Sequence, residues 1–212
     1  MTVLKKILPP LALKSISPPL RALALIGLLG LLPQLQGCLP LVAGGAGATA
    51  LALNDRRTIG TQTEDKEIDL RGENRIKDRF GDKVHINVAS YNRNLLLTGE
   101  APDAATKAEI ENIVREIPNV RGVVNEIQIA GVSSYTSRGN DSYLTSKVKA
   151  RFVDTGGIVS ANQVKVVTEA NVVYLLGLVT RKEAEAAVEV ARTTGGVQKV
   201  VRVFEYIEAP AK

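Results

Sequence analysis

The chain has 212 residues, 45% of them apolar, which suffices for one or two small globular domains. Only 4% of the residues are aromatic and Trp is absent, so any core must consist mainly of aliphatic side chains. The formal net charge is +5, but residues 1–37 hold 4 basic residues and no acid, leaving 23 basic and 22 acidic residues. A nearly neutral remainder argues against a nucleic-acid-binding protein.

The N-terminal stretch has the features of an export signal. Its basic residues precede an uncharged apolar run from Ala22 to Leu32. That run is too short to cross a bilayer, which needs about 20 helical residues. A basic segment followed by a short apolar segment is typical of a signal peptide, which we predict over residues 1–37.

Cys38, the only cysteine in the chain, follows this segment directly. The sequence Leu35-Gln36-Gly37-Cys38 resembles the lipobox of bacterial lipoproteins, although Gln36 departs from the small or branched residue usual there. The resemblance implies that Cys38 is the lipid attachment site, carrying diacylglycerol and an N-acyl chain such as palmitate. The alternative is a buried free thiol. Leu39 stands where an aspartate would favour inner-membrane retention, so the resemblance implies the outer membrane.

Residues 38–63 are predicted to form an acylated, flexible tether. Residues 39–53 are rich in Gly and Ala and carry no charge. The polar segment that follows, from Asn54 to Asp69, is predicted to be rich in turns and to lead into the first folded unit.

The rest of the chain contains an internal repeat. Three segments recur in the same order, at offsets of 72, 78 and 77 residues. The matched pairs are 75–80 with 147–152, 86–99 with 164–177, and 120–127 with 197–204. Two copies of one unit of roughly 65 residues are therefore predicted, each marginal in size by itself.

Each copy is predicted to fold as αββαβ. In the second copy, Asp141 is a candidate N-cap, and Leu144, Val148 and Phe152 share one helical face. Two apolar strands joined by a turn of Asn and its neighbours follow, then a helix with Ala and Val on its inner face, then a last strand.

This pattern resembles the BON domain, a bacterial module that has a glycine at the end of its central strand, here Gly99 and Gly177. The resemblance implies an α+β fold of two tandem BON domains, each a three-stranded mixed sheet packed on two helices. The predicted bounds are 64–131 and 142–208, with a linker at 132–141. With the lipobox and the segment Arg56–Asp65, the chain resembles dual-BON outer-membrane lipoproteins that bind phospholipid and are associated with division and envelope stress.

The side chains needed for catalysis are scarce. With one His and one Cys, neither a Cys–His pair nor a His-rich zinc site can form, so no enzyme activity, cofactor or metal site is predicted. His85 is interpreted as a solvated histidine at a strand edge. Its counterpart in the second copy, Gln163, does not ionise.

The two copies differ in charge. Residues 68–131 hold 9 basic and 10 acidic residues, or −1, whereas residues 142–212 hold 10 and 7, or +3. Tyr143, Lys147 and Arg151 follow one another at i+4 on a stripe beside Leu144, and residues 142–153 include no acid. An aromatic ring with long cations suits an anionic lipid surface. The same pattern would also fit a tyrosine that covers a small core beside two solvated cations.

The BON resemblance assigns phospholipid binding to the first helix of the second unit, and so favours Tyr143, Leu144, Lys147 and Arg151 as the binding residues. The leading hypothesis is a non-enzymatic, lipid-anchored, periplasm-facing protein that binds anionic phospholipid and supports outer-membrane integrity at division or stress sites. The alternative is a module that docks through a strand edge on the β-barrel assembly machinery or another envelope complex.

Overall fold

The computed structural model describes residues 55–153, 159–160 and 162–208. The predicted signal, Cys38 and most of the predicted tether lie outside the described residues. The first repeat consists of α1 (Ile59–Phe80), β1 (His85–Tyr91), β2 (Asn94–Ala101), α2 (Ala104–Arg115), β3 (Gly122–Asn125) and β4 (Gln128–Ile129). The second consists of α3 (Tyr135–Val153), β5 (Val164–Glu169), β6 (Val172–Val179), α4 (Arg181–Arg192) and β7 (Lys199–Tyr206). The α+β prediction, with αββαβ twice, is confirmed.

Each repeat has a small mixed sheet around a central strand. β1 and β5 run antiparallel to the central strands β2 and β6, whereas β3, β4 and β7 run parallel to them. The hairpin turns Asn92-Arg93 and Ala170-Asn171 have positive φ at both residues, as a type I′ turn requires. The last strand of the first repeat, predicted as one element, is broken between β3 and β4, where Ile127 is buried in the core.

One face of each sheet packs on its two helices. The predicted stripe of Leu144, Val148 and Phe152 is buried on α3, at 2%, 0% and 1% exposure. The alanines predicted on the inner face of the last helix are buried as well. The helix-facing cores therefore follow the apolar periodicity of the sequence.

The opposite faces of the two sheets pack against each other. Leu96 of β2 and Leu176 of β6 are buried there with Tyr91 and Tyr174. Each central strand is thus covered on both faces, which explains its continuous apolar run. All described elements belong to the unit 46–212, so a fragment with those bounds retains both cores and the interface.

A buried aspartate from the first helix of each repeat holds the hairpin turn. Asp141 accepts hydrogen bonds from the backbone N–H groups of Ala170 and Asn171, at 3.0 and 2.9 Å. Asp65 accepts from the equivalent N–H groups of Asn92 and Arg93. The predicted N-cap role of Asp141 is therefore wrong, because its carboxylate is needed at the turn.

Two helices begin earlier than the sequence indicated. α3 starts at Tyr135, inside the stretch predicted as linker. α1 starts at Ile59, inside the stretch predicted as tether and turns, and is capped by the Thr58 hydroxyl. Both first turns are largely exposed and polar, so they lack the apolar stripe that marks a packed helix.

Residues 55–58 form an N-terminal strap that contacts both repeats. Arg56 donates two hydrogen bonds of 2.8 Å to the carboxylate of Glu183 in α4 and a third to the carbonyl of Leu178. The guanidinium of Arg57 lies 3.8 Å from the ring centroid of Tyr91 and pairs with Asp65. The strap thus connects the start of α1 to the second repeat.

The two predicted structural glycines lie where the central strand passes the start of its neighbour. Each strand continues two residues beyond its glycine, so neither residue ends the strand as predicted. Gly99 has φ of +110°, and a Cβ there would lie 1.9 Å from the carbonyl oxygen of His85. A Cβ on Gly177 would lie 2.6 Å from the carbonyl oxygen of Gln163. The obstacle is the backbone at the start of the neighbouring strand.

Candidate functional site

The outer face of α3 is a broad surface without exposed acid. The helix holds four basic residues, and its only acid, Asp141, is 5% exposed and faces the hairpin turn. Tyr135, Tyr143 and Val153 are 86%, 63% and 73% exposed. The other exposed residues between Tyr135 and Val153 are small, neutral polar or basic: Thr136, Gly139, Asn140, Ser142, Ser146, Lys149 and Ala150. A flat helical face with protruding aromatic rings results.

The two predicted binding cations contact the second helix of their own repeat. Lys147 donates a hydrogen bond from Nζ to the carbonyl of Gly195, at 2.8 Å. Arg151 donates to the carbonyl of Val190 and to the hydroxyls of Thr193 and Thr194, at 2.8 to 3.0 Å. These groups lie at the C-terminal end of α4, where cations are stabilised by the helix dipole. Both side chains remain partly exposed at the edge of the α3 face.

Leu144 points away from this face. It is 2% exposed and packs on Gly196, where a Cβ would lie 2.7 Å from Leu144 Cδ2. In the first repeat the matched position is Gly72, and a Cβ there would lie 3.0 Å from Val88 and 3.6 Å from Ile117. The side chain of Ile117 fills the space beside this helix in the first repeat, and the side chain of Leu144 fills the corresponding space in the second. In this conformation, Leu144 therefore contacts the core and not the solvent.

The corresponding helix of the first repeat differs in charge. α1 contains six acidic and five basic residues. Several of its exposed charges pair with one another or with α2, as Arg71 does with Glu67 and Arg79 with Glu109. Of the four α-helices in the part of the chain that the structure describes, only α3 presents cations without exposed acids on the same helix.

His85 lies at the junction of the two sheets, so the prediction of a solvated strand-edge histidine is wrong. Its side chain is 17% exposed, and Nδ1 lies 3.1 Å from Glu100 Oε2. Glu169 of the second repeat is close by. Burial raises the pKa of Glu169 to about 7, and this effect outweighs the hydrogen bond that the carboxylate accepts from Asn87. No pattern in the sequence indicates this cluster, because its members come from three strands.

Three exposed residues of the α3 face were not among the predicted site residues. Tyr135 was assigned to the linker, although it lies eight residues before Tyr143 and thus on the same helical face. Lys149 and Val153 lie in the segment predicted as helical. A helical wheel extended by two turns in the N-terminal direction would have found Tyr135, and the wheel of residues 142–153 already included Lys149 and Val153.

Among the described residues, no helix is both long enough and apolar enough to cross a bilayer. The doubled αββαβ unit, with a basic helical face on one copy, defines a tandem two-domain α+β protein. The family model described as "BON domain" matches residues 68–131 and 140–208.

Two curated relatives extend this match. The chain is 37% identical over 193 residues to the outer membrane lipoprotein DolP of Haemophilus influenzae, covering 90% of this chain and 98% of that protein. It is 33% identical over 156 residues to the 21 kDa hemolysin of Actinobacillus pleuropneumoniae, covering 73% and 80%. The chain belongs to the family of dual-BON outer-membrane lipoproteins.

Among solved structures, CdsD, a structural protein of the type III secretion system of Chlamydia trachomatis, matches at 14% identity with a TM-score of 0.28. The match covers 68% of this chain and 94% of that chain. At this TM-score it carries no argument about function.

Proposed function

We propose that the protein is a non-enzymatic, lipid-anchored protein of the outer membrane that binds anionic phospholipid through the α3 face of its second BON domain. The observation that carries the proposal is the acid-free exposed surface of α3, with Tyr135 and Tyr143 projecting from it. Tyrosine rings favour the headgroup level of a bilayer, and lysine stems reach from there to phosphate.

The contacts of the basic residues define their roles in this proposal. Lys149 is exposed on the α3 face and serves as the mobile cation. Lys147 and Arg151 are held at the edge of the face by the C-terminal end of α4, where they keep the local potential positive. Leu144 supports the helix from the core side.

Vesicle flotation of the fragment 46–212 tests this proposal without the contribution of a lipid anchor. Binding to phosphatidylglycerol vesicles should weaken as salt rises, and phosphatidylcholine vesicles should bind little. Each charge near an anionic surface contributes about 1 kcal/mol, so Lys149→Glu should reduce affinity by up to roughly 30-fold. The control Lys77→Glu changes the matched exposed position of α1 and should have little effect. Equal losses from both variants would contradict the proposal.

The anchor is tested separately, in cells. Cys38 lies outside the described residues, and its acylation is proposed from the lipobox alone. Cys38→Ser should prevent lipid attachment and signal removal, leaving the precursor outside the outer-membrane fraction. Maturation of this variant at the same point, with unchanged outer-membrane location, would contradict a lipid anchor at Cys38.

We propose that such an anchor, combined with the lipid-binding α3 face, supports outer-membrane integrity at division or stress sites. The alternative partner, the β-barrel assembly machinery, would use a strand edge. β7 favours this possibility, because among the described strands it pairs only with β6, leaving its other edge open to an added strand. Failure of the fragment to float with any vesicle, with specific capture of the assembly machinery, would support docking.

A further inference from the structure

One histidine and two glutamates meet at one end of the interface between the two sheets. His85 Nδ1 lies 3.1 Å from Glu100 Oε2 and 4.0 Å from Glu169 Oε1. One ligand atom from each residue lies within 4.8 Å of those from the other two. The first two residues belong to the first BON domain and the third to the second.

The charge of this cluster is poorly balanced within the protein. The side chains of Glu100 and Glu169 are 8% and 3% exposed. Within the described ranges, their only salt-bridge partner is the imidazole of His85. Their other hydrogen-bond donors, which include the Asn87 amide and the Ser133 N–H, are neutral. Burying two carboxylates with so little positive charge is costly, and a divalent cation would offset that cost.

The other end of the same interface provides an internal comparison. At the offset of 78 residues, His85 and Glu100 match Gln163 and Leu178, and Glu169 matches Tyr91. There the Tyr91 hydroxyl donates to the carbonyl of Gln163, at 3.1 Å. At this end, the three matched positions hold neither a histidine nor a carboxylate, and the two sheets still pack together. The fold therefore does not require the cluster of His85, Glu100 and Glu169 at the other end.

We propose that His85, Glu100 and Glu169 bind one divalent transition-metal ion, for which Zn²⁺ is the best match. Imidazole nitrogen and carboxylate oxygen are both Zn²⁺ ligands, and at bond lengths of 2.0–2.2 Å tetrahedral ligands lie about 3.4 Å apart. The observed 3.1 and 4.0 Å lie on either side of that value.

Solvent can complete the coordination sphere. A cavity of about 400 Å³ adjoins His85 and Glu169 and is lined on its other side by Asp141, Ser142 and Thr145 of α3. Because the three ligands come from both domains, the bound ion cross-links the two sheets beside the helix that carries the proposed lipid-binding face. The metal site itself does not depend on the proposed lipid binding.

The test uses the fragment 46–212 without an affinity tag, titrated with ZnCl₂. Because His85 is the only histidine in the chain, its imidazole signals in a ¹H–¹⁵N spectrum need no assignment. We expect one equivalent of Zn²⁺ to bind, to shift the Nδ1 resonance and to raise the thermal midpoint. His85→Gln should weaken binding at least tenfold. The change is sterically conservative, since glutamine occupies the matched position 163.

Glu109→Gln is the matched control, because it removes an exposed carboxylate of the first domain. Its Zn²⁺ affinity should equal that of the unchanged fragment. If the imidazole signals do not shift at millimolar ZnCl₂, the proposal is overturned. This holds even if calorimetry detects Zn²⁺ binding, because that binding would then be at surface carboxylates. If His85→Gln does not fold, Glu169→Gln and the imidazole spectrum of the unchanged fragment decide the question.

Discussion

The ion pair between Arg56 of the N-terminal strap and Glu183 of α4 should make stability depend on acid pH. Arg56 donates two hydrogen bonds of 2.8 Å to the carboxylate, and Thr180 adds the contacts of a capping box. The Arg56 hydrogen bonds are the main cause that lowers the pKa of Glu183 from 4.5 to about 2. Thr180 lowers this pKa further.

The magnitude follows from that difference in pKa. One pKa unit corresponds to about 1.4 kcal/mol, so the upper limit of the stabilisation is about 3 kcal/mol. The two side chains are 25% and 17% exposed, and solvent screening reduces the free energy to about 1–2 kcal/mol. Because the folded-state pKa of Glu183 is depressed, the stabilisation is complete above pH 4.5 and is lost as pH falls towards 2.

A double-mutant cycle measures this coupling. Arg56→Gln, Glu183→Gln and the double variant of the fragment 46–212 would be unfolded in urea at pH 7 and at pH 3. We expect a coupling energy of about 1–2 kcal/mol at pH 7 that falls by more than half at pH 3. A coupling energy near zero at pH 7, or one of equal size at both pH values, would refute the assignment of a stabilising ion pair.

Further predictions concern the glycines, the turn clamp and α3. Gly99→Ala should destabilise by about 3 kcal/mol in urea unfolding and Gly177→Ala by less, because only the first also requires a positive φ. Asp141→Asn should cost about 1–3 kcal/mol and speed amide exchange at the β5–β6 turn, since an amide oxygen cannot replace both carboxylate oxygens. Leu144→Ala should lower the free energy of unfolding by about 2–5 kcal/mol without changing vesicle affinity. Tyr143→Ser should weaken vesicle binding and leave the free energy of unfolding nearly unchanged, because Tyr143 is exposed.

The sequence predicted the parts of the fold that depend on local pattern. The apolar stripe of α3, the paired strands and the position of the turn between them were predicted correctly, because each has a periodicity or a turn signature. That each turn has only two residues was not predicted. The internal repeat supported each of these interpretations with an independent copy.

The parts that were missed depend on contacts between distant segments. Nothing in the spacing of His85, Glu100 and Glu169 predicts that three strands bring them together at the junction of two sheets. The strap is similar: Arg56 and Glu183 are 127 residues apart, and only the folded chain pairs them. Asp141 was placed at a helix start because aspartate is common there, while its actual partners lie about 30 residues later.

The placement of Leu144 changes how the two repeats are compared. Leu144 was predicted to be one of the phospholipid-binding residues, and it stands where the first repeat has Gly72. The structure shows a compensated core change, in which Leu144 fills the space that Ile117 fills in the first repeat. The difference between α1 and α3 that bears on lipid binding is therefore confined to their outer faces. There, α3 has exposed tyrosines and no exposed acid, and α1 has exposed charges of both signs.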